Sequence, residues 1–199
     1  MTKSEFLARF HHARVISAER DFPLKAPGRS AAVLLPITEH KGVLSLLFTL
    51  RARHLKHHGG QVSFPGGKQE PYDHNLVATA LRETEEEIGL ANDTIDIIGN
   101  LTPYRTVSRF DVMPFIGFVQ QPMHLKLDAN EVELIFEVPL SFLFDRRNHF
   151  IHWVTRNNVQ YPVYFMNWHG KVIWGATAAF VRTLSNHIYD TSKGKPLLG

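Results

Sequence analysis

Between Phe64 and Leu90 the chain reads FPGGKQEPYDHNLVATALRETEEEIGL. A pair of glycines gives way, across a short polar stretch, to a helix in which four of the five residues from 83 to 87 are glutamates. On a wheel turning about 100° per residue, with Glu83 at the origin, Glu86 falls at about −60° and Glu87 at about +40°. Val77, Leu81, Thr84 and Ile88 lie between about 100° and 160°, a narrow stripe that can bury against a sheet. Glu85 stands at about 200°, beyond that stripe. Three carboxylates converge and one stands apart.

A solvated acidic face is the simplest account of such a helix, but two features oppose it. Negative charge is favoured at a helix N-terminus, and this cluster stands near the C-terminal end, where the dipole works against it. The glycines of FPGG also let backbone carbonyls approach closely. Carboxylates at i, i+3 and i+4 beside an open glycine loop supply the oxygens that a hard divalent cation requires. Arg82, next to the cluster, can orient or neutralise a carboxylate through a forked pair.

The rest of the chain tells us what this helix packs against. AAVLLPI (31–37), GVLSLLFTLR (42–51), IDIIGNL (95–101), DVMPFIGFV (111–119) and VELIFEVPL (132–140) read as strands, the first two hairpin-linked through His40–Gly42. HFIHWV and YPVYFMNW add two more, and GATAAFVRTLSNHIY (175–189) has helical periodicity. Loop signals dominate 54–75. Thr2 and Glu5 form a capping box for an N-terminal helix bearing Phe6, Leu7 and Phe10. The expectation is an α/β protein of α+β type, a mixed sheet between helical layers. Residues 1–30 form a helix and linker, 31–190 the main domain and 191–199 a flexible tail.

With 199 residues, 44% of them hydrophobic, the chain can build one sizeable core. There is no cysteine, which excludes disulfides, thiolate catalysis and cysteine-based metal sites. A net charge of +3 without a long basic run is compatible with an anionic small-molecule ligand, is too diffuse to argue for nucleic acid, and is most simply ordinary surface charge. Neither a secretory signal nor an apolar run long enough to span a membrane is present, so a cytoplasmic location without membrane partners is expected. A homodimer remains open.

Arg82-Glu83-Thr84-Glu85-Glu86-Glu87-Ile88-Gly89-Leu90, with Gly67 upstream, resembles the box of the Nudix hydrolases, G-x5-E-x7-R-E-U-x-E-E-x-G-U, in which U is a bulky aliphatic residue. Two positions depart from it. Thr84 replaces the aliphatic residue, and Asp73, six residues after Gly67 and separated from Arg82 by eight, stands for the first glutamate. The stretch Leu47-Phe48-Thr49-Leu50-Arg51-Ala52, then Lys56, Gly60 and Phe64-Pro65-Gly66-Gly67, resembles the signature of the coenzyme A pyrophosphatase subfamily, L-L-T-x-R-(S/A)-x3-R-x3-G-x3-F-P-G-G. Phe48 and Lys56 depart from that pattern. WGATAAF is also similar to this subfamily.

The resemblance implies a Nudix fold and metal-dependent hydrolysis of the pyrophosphate of CoA or its derivatives, giving 3′,5′-ADP and 4′-phosphopantetheine. ADP-ribose, dinucleoside polyphosphates and nucleoside triphosphates are alternative substrates, and a non-catalytic binding module is a further reading. Mg²⁺ or Mn²⁺ suits an all-oxygen site. Glu83 and Glu87, with the Gly67 carbonyl, are the expected ligands, and Glu86 is a further ligand or a base. Arg82 completes the catalytic set, with Glu131 a secondary choice. Arg51, Arg53, Lys56 and Gly66 are expected to meet the substrate's phosphates. Tyr104, Phe110, Trp153 and Trp168 could stack on a base.

Overall fold

The computed structural model describes residues 1–12, 17–19, 28–156 and 158–189. The expected tail at 191–199 and most of the linker at 22–30 lie outside them. Helix α1 (Lys3–His12) opens with the capping box. The Thr2 amide donates to the Glu5 carboxylate at 2.8 Å, and the Glu5 amide donates to the Thr2 hydroxyl at 3.2 Å. Phe6 and Phe10 enter the main core, so α1 is not set apart from the domain that follows. The His187 ring donates to the Phe10 carbonyl at 2.8 Å and ties α1 to the last helix.

Strands β1 (Arg29–His40) and β2 (Val43–Arg51) form the expected hairpin. Lys41 and Gly42, with φ of 50° and 78°, supply the left-handed pair that a two-residue turn requires. Then come β3 (Val62–Ser63), β4 (Gly66–Lys68), α2 (Leu76–Ile88), β5 (Ile95–Asn100), β6 (Tyr104–Arg105), β7 (Phe110–Val119) and β8 (Val132–Pro139). A short α3 (Leu140–Leu143) leads to β9 (Phe150–Arg156), β10 (Val159–Trp168), β11 (Lys171–Trp174) and α4 (Gly175–Tyr189). Pro139 ends β8, as its missing N–H dictates.

β1 is the centre of the larger sheet. It pairs antiparallel with β2 and β4, and parallel with β7 from Arg29–Phe110 to Ile37–Phe118. β5 and β6 add to β7, and β3 and β8 to β2, so the sheet is mixed. β9, β10 and β11 form a separate three-stranded sheet. Leu34, Leu47 and Phe115 pack on the side of α2, whereas Leu35, Phe48 and Ile116 join α1 and α4 in the opposite core. Both faces are covered, which is why AAVLLPI is an unbroken apolar run instead of an alternating one.

One region departs from the sequence reading. Residues 54–75 read as loop, yet β4 pairs with Ala31–Val33 at the heart of the sheet. A Cβ on Gly66 would lie 2.3 Å from the Ala32 carbonyl oxygen, so only a glycine backbone can come this close. Among the described residues no helix is long and apolar enough to cross a membrane.

Candidate active site

α2 lies across β1, β4 and β7 and carries the glutamates. The Asn75 side chain caps its start, accepting from the Ala78 amide at 2.8 Å. Gly89 ends it with φ of 70°, its backbone N–H donating to the Glu85 carbonyl at 2.8 Å. The buried stripe centres on Ala80, Thr84 and Ile88, and the expected stripe residues Val77 and Leu81 are only half-buried. Thr84 can take a core position because its hydroxyl donates to the Ala80 carbonyl at 2.7 Å.

This turn of the helix separates the three clustered carboxylates. The Glu87 side chain is 3% exposed, that of Glu83 18% and that of Glu86 59%. Glu85 is exposed. Arg82 bridges two of the cluster, its Nη1 donating at 2.9 Å both to Glu83 and to Glu86. The rest of its guanidinium is held by Asp73, with Nε at 2.9 Å from one carboxylate oxygen and Nη2 at 3.0 Å from the other. Asp73 is buried and also accepts from the Glu70 amide at 2.9 Å and the Thr79 hydroxyl at 3.0 Å. The Arg82 fork, with these donors, holds the Asp73 carboxyl well below the usual range.

Glu87 is less well served. Burial pushes its carboxyl up to about 8. Arg51 pulls the other way, but Nη1 stands 3.8 Å off, and the negative charges of Glu131 and Glu83 push further up. A backbone hydrogen bond from Gly66 is its further support. Burial also raises the Glu83 carboxyl, against the pull of Arg82.

Among the described residues no group of three His, Asp or Glu side chains is arranged to hold a metal ion. Arg82 occupies the oxygens of Glu83 and Glu86, and Glu87 faces Arg51. The residues nonetheless fit a hard cation. The donor set is all oxygen. A Cβ on Gly67 would fall 2.4 Å from the Glu83 carboxyl carbon, so the glycine keeps open the space that carboxylate fills. Glu87 is a buried carboxyl whose nearest cation, Arg51, stands 3.8 Å away.

A cleft of about 790 Å³ adjoins this site. Arg51, Gly66 and Gly67 line it, while none of the α2 glutamates does. Arg51 therefore belongs to both regions, since it also faces Glu87. Glu131 is half-buried and close enough for its charge to act on Glu83 and Glu87. Arg53 turns elsewhere: its side chain is 80% exposed, pairs with Glu133 at 3.3 Å and lines a different cleft. Lys56 is exposed and does not line the 790 Å³ cleft. Of the aromatic candidates, Tyr104 and Phe110 line it; Trp153 is exposed and Trp168 packs on Phe142.

The sequence reading did not assign the anchoring of Arg82 by Asp73 and Thr79. It also missed the cleft wall formed by Tyr161, Val163, Trp174 and Phe180. The nine-residue interval from Asp73 to Arg82, spanning a helix start at Asn75, was the available signal for the first. WGATAAF, which holds Trp174 and Phe180, was a signal for part of the wall, but its meeting with Tyr161 and Val163 of β10 is tertiary.

Residues 27–173 match the family model of the NUDIX domain. The chain is 35% identical over 187 residues to an uncharacterised Nudix hydrolase NudL of Yersinia enterocolitica, covering 94% of this chain and 93% of that one. It is 38% identical over 160 residues to the NudL protein of Photorhabdus laumondii, covering 80% and 85%. Among solved structures it resembles the Nudix hydrolase RenU of Mycobacterium smegmatis. The TM-score is 0.56 and the identity 17%, over 87% of this chain and 91% of that one, a likeness of fold. With the domain matched over most of its length and close relatives aligned nearly end to end, this chain belongs to the Nudix hydrolase family.

Proposed function

We propose that this Nudix pyrophosphohydrolase cleaves the diphosphate of coenzyme A or its derivatives to 3′,5′-ADP and 4′-phosphopantetheine, with Mg²⁺ or Mn²⁺. The observation that carries the reading is the position of Arg51. It lies in the stretch 47–67 that resembles the CoA pyrophosphatase signature, and its guanidinium stands between Glu87 and the cleft. A diphosphate placed there meets a fork suited to phosphate oxygens on one side and the acidic helix on the other.

Glu83 and Glu87, with the Gly67 carbonyl, would hold the divalent cation. When bound, it neutralises diphosphate charge and acidifies water. Glu86, the most exposed of the three, is free to turn toward water as a base or toward the cation as a further ligand. Asp73 holds Nε and Nη2 of Arg82, so the arginine keeps its place when Glu83 and Glu86 release Nη1. Gly66 brings an unobstructed backbone to the diphosphate and supports Glu87 through its amide. Glu131 adds negative charge to the same corner.

Incubating the protein with Mg²⁺ or Mn²⁺ and CoA, acetyl-CoA, ADP-ribose, NADH or dNTPs, and separating the products by chromatography, tests the reading. Release of 3′,5′-ADP from CoA or its ester, with little turnover of the others, is expected. Preferred cleavage of ADP-ribose, NADH or a dNTP would overturn it.

A further inference from the structure

We propose that two copies of this chain pair through the free edge of β9, antiparallel about a two-fold axis at Trp153. The pairing is independent of the CoA reading, since β9 lies outside both the acidic helix and the stretch 47–67.

β9 is the outer strand of the three-stranded sheet, with β10 on one side and, among the described residues, no strand on the other. Its side chains are exposed on both faces of the sheet from Phe150 to Thr155. Ile151 stands opposite Tyr164 and shares its face, yet Tyr164 is buried in the main core and Ile151 is exposed. β9 thus reaches past the core that supports β10. Five exposed large hydrophobic residues, Phe150, Ile151, Trp153, Val154 and Val159, fall in this one hairpin. Val172 and Trp174 of β11 are exposed because they line clefts, but Phe150, Ile151, Trp153 and Val159 line neither the 790 Å³ cleft nor the one beside Arg53.

Monomeric proteins blunt a free edge with charge, a proline or a bulge. The outer strands of the larger sheet carry charge, Asp96 on β5 and Glu133 and Glu137 on β8. The opposite edge of the small sheet, β11, begins at Lys171 and lies against β3. From Phe150 to Thr155, β9 has no lysine, proline or carboxylate, and its pairing with β10 runs without a bulge.

Pro162, opposite Trp153, has no N–H to give β9, so their pair is a non-hydrogen-bonded one. The N–H and C=O of Trp153, and by alternation those of Ile151 and Thr155, therefore point to the free edge. A two-fold axis at Trp153 sets Ile151 of each copy against Thr155 of the other, and His152 against Val154, so no charge meets its like. The five apolar side chains, exposed over 39–61% of about 200 Å² apiece, present roughly 500 Å². A standard interface takes about 800 Å² from each partner. His152, Thr155 and the backbone of the edge bring the hairpin close to that figure.

Sedimentation velocity across a range of protein concentrations tests the pairing, with circular dichroism melts to confirm that each variant is folded. The expected wild-type species has twice the mass of one chain and dissociates on dilution. Trp153→Lys should raise the dissociation constant about tenfold or more, by setting two positive charges together at the axis. Thr155→Pro should do the same, since it removes an outward N–H and leaves the bonds to β10 in place. Val172→Lys, at an exposed apolar position on β11, should leave the constant within about twofold. A wild type that is monomeric at every concentration overturns the proposal, and so does a Trp153→Lys or Thr155→Pro dimer as tight as the wild type. Weakening by Val172→Lys equal to that by Trp153→Lys moves the contact to the face of the sheet and overturns the edge pairing. A monomer that sediments with phosphatidylcholine vesicles makes the aromatic edge a lipid surface and also overturns it.

Discussion

Glu19 and Glu87 each sit beside an arginine, and their surroundings could hardly differ more. Glu19 accepts from Arg182 Nε at 3.1 Å and Asn186 at 2.9 Å on one oxygen, and from the Tyr164 hydroxyl at 2.8 Å on the other. Its own amide donates to the Thr183 hydroxyl at 3.2 Å. Both carboxylate oxygens have donors, and the network joins the segment before β1 to α4 and β10. Glu87 is more deeply buried, yet it has only the Gly66 amide and an arginine at 3.8 Å. A saturated buried network holds a fold together; a buried carboxyl with few donors is pushed toward its neutral form and is a candidate for a functional group.

That contrast orders what substitutions should do. The largest effect is expected from Glu87→Gln, which keeps the volume and removes the carboxylate that a cation would need. Turnover should fall roughly 1,000-fold, equivalent to about 4 kcal/mol of transition-state stabilisation, while the thermal midpoint of the metal-free protein holds, because burial already pushes the Glu87 carboxyl up to about 8 and favours its neutral form. Steady-state kinetics and a thermal melt check both halves. A melt that drops sharply would place Glu87 with Glu19, as structural.

Asp73→Asn comes next, since Asp73 is both saturated and joined to the acidic cluster. Losing one partner of the buried Asp73–Arg82 pair should cost about 3 kcal/mol, read from urea unfolding. The cost should depend on pH with a definite sign. The folded Asp73 carboxyl is held below its unfolded value, so its contribution is complete above pH values near 4. It is lost as the pH falls further, and the gap between wild type and variant should close in acid.

Glu19→Gln should cost about 1–2 kcal/mol in the same unfolding experiment, because several partners lose a charged acceptor. Its kcat for free CoA should stay within about twofold, the size of an effect of roughly 0.4 kcal/mol. Glu85→Gln is expected to do least. It is an exposed residue on α2, and both stability (within about 0.5 kcal/mol) and turnover should be nearly unchanged.

The wheel placed Glu83, Glu86 and Glu87 together and set Glu85 aside, and helical periodicity alone was enough for that. It could not rank the three by burial. Their ranking depends on how α2 lies against β1 and β4, which is a tertiary fact. The strands with continuous apolar runs were legible for the same reason that they are central. β4 was not, because glycine propensity says loop while a 2.3 Å approach to Ala32 demands a glycine inside the sheet. Arg51, named from a motif, proved to be shared between site and cleft, whereas Arg53 two residues on faces Glu133. Strand alternation would put the two on one face, but β2 ends at Arg51 and Arg53 stands in the turn that follows. The cleft wall was the least legible part, since β10, β11 and α4 contribute to it from distant stretches of the chain.

The proposed role to be tested is that the Glu87 carboxyl gives up its proton to a cation and that Glu19 serves the fold alone. Titrating Mn²⁺ into the wild type, Glu87→Gln and Glu19→Gln proteins, with free Mn²⁺ followed by electron paramagnetic resonance, tests it without reference to turnover. Saturable binding to the wild type and to Glu19→Gln, with affinity for Glu87→Gln weakened at least tenfold, is the predicted result. Equal Mn²⁺ binding by Glu87→Gln and the wild type would contradict the account.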